Sequence, residues 1–178
     1  MFQIVYDFWF HEISPSQHWK VDPVFDQLIR DRFLTLHTQA HDGELIEWRK
    51  EPVGRLAEII VLDQFSRNIF RGTPATFTSD VLALSLAKEA VAVGADQPLT
   101  SAERVFLLMP YMHSESKSAH EDAVRLFSAN GIQNNLDFEL RHKAIIDRFG
   151  RYPHRNAILG RVSTDEELEF LTQPGSGF

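Results

Sequence analysis

Between Pro52 and Arg71 the chain carries more apolar residues than one helix face can hold. Val53, Leu56, Ile59, Ile60, Val61, Leu62, Phe65 and Ile69 fall on several sides of a 3.6-residue turn. Such a helix belongs at the centre of a helical domain, with other helices packed around it. Pro52 can open it, and Arg71-Gly72-Thr73-Pro74 ends it.

The remaining chain supplies those partners. Met1 to Phe10 reads as a short apolar-aromatic helix whose Trp9 seeks a core. Asp22-Pro23 is an N-cap followed by Pro, and Phe25, Leu28, Ile29, Phe33 and Leu36 recur at helical spacing behind it. Glu44 to Arg49 is a short helical turn. Thr78-Ser79-Asp80 caps a Leu/Ala-rich helix that Gly94 stops. Thr100-Ser101-Ala102-Glu103 is a capping box for a helix to Met112, with a kink expected at Pro110.

Ser118-Ala119-His120-Glu121 reads as a second box, opening a helix that ends near Gly131. Leu136 to Phe149 follows, with Leu140, Ala144, Ile145 and Phe149 on its inner side, and Thr164 opens a last helix through Leu171. No segment alternates with period two. The expected fold is all-α: about seven main helices in antiparallel hairpins, one domain over residues 1–172 and a flexible tail at 173–178. A 34-residue helical repeat is not evident.

Composition narrows the function. The net charge of -7 argues against nucleic acid or an anionic membrane as partner. No apolar run is long enough to span a bilayer. The first ten residues lack a basic region and contain Asp7, unlike a secretory signal. Cysteine is absent, which removes disulfides and thiol chemistry and fits the cytoplasm. Thirteen Arg stand against five Lys, and Arg is the better residue for two-pronged recognition of carboxylate or phosphate.

Three polar clusters interrupt the apolar pattern. Asp63, Arg67, Asn68 and Arg71 lie at the end of the central helix, with Asp63 and Arg67 spaced to form an ion pair. His113 and Glu115 follow Pro110, a pairing suited to acid–base work. Arg148, Arg151, His154, Arg155 and Asn156 come from a segment bent by Gly150 and Pro153, and Arg161 closes it. Each cluster also has a structural reading: an ion-pair staple at Asp63–Arg67, a helix cap at His113, and Arg side chains answering carboxylates and helix-end carbonyls. Ligand pairs at metal-binding spacing are missing, so no metal is assigned, and no motif specifies a cofactor. His11, His18, His37, His41 and His120 read as surface residues.

Several blocks together carry a resemblance. F-W-F at 8–10, L-D-Q-F-S-R-N-I-F-R-G-T at 62–73, M-P-Y-M-H-S-E at 109–115, R-F-G-R-Y-P-H-R-N at 148–156 and L-G-R-x-S-T-x-E-E at 159–167 resemble the bacterial "domain of unknown function 924" family. That family usually has Pro where this chain has Ser66. The resemblance spans nearly the whole chain and implies an all-α fold of the tetratricopeptide-like superfamily. It implies no activity, cofactor or catalytic residue.

Two functions follow from the residues. In the first, the clusters meet in a pocket for an anionic small molecule. His113, Glu115 and His154 are then its acid–base candidates, and Asp63, Arg67, Asn68, Arg71, Arg148, Arg151, Arg155 and Asn156 its binding groups. In the second, a helical interaction module uses the same Arg residues to grip an acidic peptide.

Overall fold

In the computed structural model of the chain, residues 1–177 are described; Phe178, the end of the segment read as a tail, lies outside them. Among the described residues every regular element is helical, so the all-α reading holds. Helix α1 (Gln3–Asp7) winds on into a π turn, Phe8–Glu12. Helix α2 spans Pro23–His41. Helix α3 starts at Pro52–Ile60, passes through a second π turn at Val61–Phe65 and ends in Ser66–Ile69. Then come α4 (Asp80–Ala92), α5 (Ser101–His113), α6 (Lys117–Asn130), α7 (Gln133–Phe149) and α8 (Asp165–Leu171). No helix among the described residues is long and apolar enough to cross a membrane.

The apolar helix is central, as its pattern requires. From Leu56 to Ser66 every residue of α3 is buried. Rings from three segments close on it: Phe33 lies 4.8 Å from Phe65, Phe8 4.9 Å from Phe33, and Trp9 5.6 Å from both Phe65 and Phe106. Offset and edge-on rings at these distances are favourable beyond their apolar burial.

Short links and cross-contacts fold the helices back on one another. Asp26 near the start of α2 receives Asn68 and Arg71 from the end of α3, and Arg30 bonds the Ile69 carbonyl. Asn130, the last residue of α6, donates to the Ser101 carbonyl at the start of α5 (3.0 Å). Lys117 at the start of α6 reaches the Asp147 carbonyl near the end of α7 (3.2 Å). Helices α5, α6 and α7 therefore form successive antiparallel hairpins. Gly131 between α6 and α7 sits at φ +79, the left-handed region in which a Cβ is strained.

Four details differ from the sequence reading. Helix α6 begins at Lys117 behind Ser116, two residues before the Ser118 box. Helix α7 begins at Gln133, and its inner face carries Glu139, His142, Ile145 and Ile146, whereas Leu140 is exposed. The face is polar because it meets His120 of α6: Glu139 lies 2.6 Å from His120 Nδ1, and both are fully buried. His37 and His120 are thus interior residues. His37 Nε2 donates to Ser66 Oγ (2.7 Å), which passes its own proton to the Leu62 carbonyl (2.5 Å).

His37 and His142 are held neutral, chiefly by burial, at about 4 and about 3 against an ordinary 6.5. The unfolded chain takes up these protons near pH 6.5 and the folded chain only near pH 4 or below. Stability is therefore complete above about pH 7 and falls as pH drops through that window. Urea unfolding at about pH 5 should show a loss of about 1–2 kcal/mol per histidine relative to about pH 7.5, and His37→Gln should flatten the profile. Replacing Glu139 by Ala leaves His120 buried without its partner and should cost about 3 kcal/mol at neutral pH, read from the urea midpoint.

Candidate functional site

The π turn in α3 is where the site begins. A π turn lodges an extra residue in the helix and shifts the phase of the side chains around it. Asp63 and Gln64 lie within this one, both buried. Helix α5, running without a break through Pro110, ends on His113 and lays its imidazole against Asp63. Nδ1 of His113 is 2.8 and 3.0 Å from the two carboxylate oxygens. Gln64 donates to the same carboxylate (2.7 Å), and Arg67 Nη1 stands 3.2 Å from it while also bonding the Asp63 carbonyl (2.8 Å).

Burial alone would raise the Asp63 pKa. The Arg67 charge, His113 and Gln64 outweigh it and hold the group well below the ordinary carboxylate range. For His113, burial and then Arg67 push the pKa down, against the pull of Asp63. The imidazole is neutral at physiological pH, and its Nδ1 proton goes to the ionised Asp63. That leaves the Nε2 lone pair as a base.

Around this couple lies a cavity of about 310 Å³ that includes Arg67, Asn68, Arg71, His113, His154 and Arg155 in its wall. The end of α3, the end of α5 and the Arg-rich connector meet there. Arg67 and Arg155 are tied together by Asp80, which accepts from Arg67 at 2.9 and 3.1 Å and from Arg155 at 3.3 Å. Arg155 Nη2 also holds the His113 carbonyl (2.9 Å), and its guanidinium stacks on Phe77 (4.5 Å) and Tyr152 (4.7 Å). Among the described residues Arg67 Nε and Arg71 Nη1 have no hydrogen bond within the protein, so both arginines keep donors for a ligand.

The other candidates are placed elsewhere, each by a carboxylate or hydrogen-bond network. Glu115 is two residues from His113 but is not in the wall of this cavity. Its two oxygens take Arg161 (2.7 and 2.9 Å) and the Tyr152 amide (2.7 Å), so it clamps the connector. Arg151 is paired with Glu167 (2.6 and 2.7 Å), and Arg148 is exposed on Glu166. Asn156 is buried, donating to Ser163 and Glu167 and accepting from Arg161. These four brace α8 and the connector instead of lining the cavity. The acidic first turn of α8, Asp165-Glu166-Glu167, was the sequence signal for them.

Three contributors were not singled out in the sequence. Asp80 reads as part of a helix start, and nothing in its spacing shows that it faces α3. His18 and Trp19 sit in the turn Pro15–Trp19, bounded by Pro15 and Pro23, and line the cavity mouth. His18 is no free surface residue: it stacks on Trp9 (4.6 Å) and donates to the Trp9 carbonyl (2.8 Å). Among the described residues no group of three or more His, Asp or Glu is placed to hold a metal.

The Asp63–His113 couple makes a spectroscopic prediction. In the wild type, ¹⁵N spectra should show His113 as the Nδ1–H tautomer at neutral pH. Asp63→Asn should mix the tautomers, and leaving Arg67 with Asp80 as its carboxylate partner should lower stability by about 2 kcal/mol. An unchanged tautomer in Asp63→Asn would show that the carboxylate does not orient the ring.

The chain matches the family model described as a bacterial protein of unknown function (DUF924) over residues 5–175. It is also similar to the solved structure of a protein of unknown function, ATU0120 from Agrobacterium tumefaciens, at 38% identity. That match covers 96% of each chain with a TM-score of 0.91. No curated protein matches it. With the family's model spanning nearly every helix around the cavity, the chain belongs to the DUF924 family of bacterial proteins.

Proposed function

We propose that this protein binds a small molecule bearing a carboxylate or phosphate in the Arg67–His113–Arg155 cavity, and that His113 exchanges a proton with it. One observation carries the reading: a buried, ionised Asp63 fixes the ring of His113 beside two guanidinium groups. An imidazole oriented in this way is built to act as base and then acid, and the adjacent arginines stabilise negative charge on the reacting group. His154, in the same wall, is kept neutral at about 4, chiefly by burial and then by Arg155. It adds no charge to the wall at neutral pH.

The arginines are partly compensated. Asp63 and Asp80 balance Arg67 and Arg155, so binding rests on directed donors more than on net charge. A tetratricopeptide-like module that grips an acidic peptide is the second reading, and the antiparallel hairpins support it. The enclosed placement of His113 and Asp63 favours the small molecule. The lack of cysteine supports placing the protein in the cytoplasm.

Inorganic phosphate and acetate are suitable probes. Titrated into protein labelled with ¹⁵N-histidine, at least one should shift the His113 resonances saturably and leave exposed His11 unmoved. Arg67→Met should weaken that binding about tenfold, equivalent to about 1.4 kcal/mol. If His113 responds no differently from His11 to either ion, the anion reading is wrong.

A further inference from the structure

A second cavity, of about 600 Å³, lies against the first. Phe77, His113 and Arg155 line both. Its other walls are the apolar Pro74, Val81, Leu84 and Leu159, the hydroxyl residues Thr78, Ser114 and Ser116, and the carboxylates Asp80 and Glu115. The two carboxylates contribute little polarity to the space. Asp80 gives its oxygens to Arg67 and Arg155, and Glu115 gives both of its oxygens to Arg161 and the Tyr152 amide. What remains open to a ligand is mostly carbon, in a space that His113 lines and Arg67 does not.

We infer that the ligand is an amphipathic anion: a carboxylate or phosphate held in the first cavity, joined to an apolar body that passes Phe77 into the second. This rests on the reading of the first cavity as an anion site and deepens it. A cavity of about 150 Å³ is enough for one benzene ring, so the second accommodates an alkyl chain of about eight carbons or a fused ring system. Phe77 marks the crossing, because its ring carries the Arg155 guanidinium that borders both spaces. The shared wall also places His113 at the junction of head and body, next to the first bonds of the apolar part. A free acid and a phosphate ester present the same features, and they differ in the charge of the head.

Calorimetry on the full chain separates the possibilities with four probes: acetate, octanoate, octyl phosphate and octyltrimethylammonium. Octanoate or octyl phosphate should bind at least tenfold more tightly than acetate, since each buried methylene adds about fourfold. Whichever of the two binds tighter identifies the head. Val81→Gln and Leu84→Gln, on the second cavity only, should each remove most of that advantage and leave acetate binding unchanged. Val81 is 82% exposed, so its variant keeps the fold if Leu84→Gln does not. Acetate binding with no gain from the chain overturns the inference and leaves the anion site standing. Equal binding of octyltrimethylammonium, or a chain advantage that survives both variants, overturns it too. Failure of every anion to bind overturns the anion site itself, and the inference with it.

Discussion

A carboxylate with no exposure to solvent is tolerated only when its charge is answered at close range, and Asp63 is answered three times. His113, Arg67 and Gln64 all reach it. Removing an ion of this size from water costs several kcal/mol, and only good geometry with further hydrogen bonds recovers that cost. The requirement propagates outward. Arg67 must stay near Asp63 and needs a second carboxylate, Asp80, which also receives Arg155, and Arg155 in turn holds the His113 carbonyl. One buried charge thereby links α3, α4, α5 and the connector after α7. The cavity wall is a by-product of satisfying that charge, and its chemistry follows from the same bonds.

A second buried couple sits nearby and has a different use. Glu139 and His120 are wholly enclosed, and burial raises the Glu139 pKa. His120 Nε2 donates to the Ser114 carbonyl (2.8 Å), and Tyr152 Oη donates to the Met112 carbonyl (2.5 Å). Both bonds land on the backbone flanking His113. This network braces the end of α5 from behind, while Asp63 orients the ring from the other side. One acid–imidazole pair is therefore open to a cavity, and its neighbour is a structural support.

Much of the fold was legible in the residue pattern. The crowded apolar run at 53–69 gave its own central position, and caps at Asp22, Thr100 and Thr164 marked helix starts that the structure keeps. Helix α7 was misread because periodicity registers apolar residues only. Its inner face is set by Glu139 and His142, which pack against His120 of the preceding helix and Tyr152 of the following connector, outside their own helix. The arginines show the same limit. Arg67 and Arg151 look alike as sequence, each beside a turn in a polar cluster. Arg151 is consumed by Glu167 away from the cavity, and Arg67 stands in the cavity wall.

Local chemistry alone determined that this chain is helical, which segment lies innermost, and that its polar groups gather at three bends. Those properties depend on periodicity, capping and backbone restriction, all of which act over a few residues. Which polar groups share a space was decided by the tertiary structure. Asp63 is 50 residues from His113, and Asp80 is 75 from Arg155. Side chains that far apart carry no mark of one another until the helices pack, because the free energy that pairs them comes from a burial that exists only in the folded state.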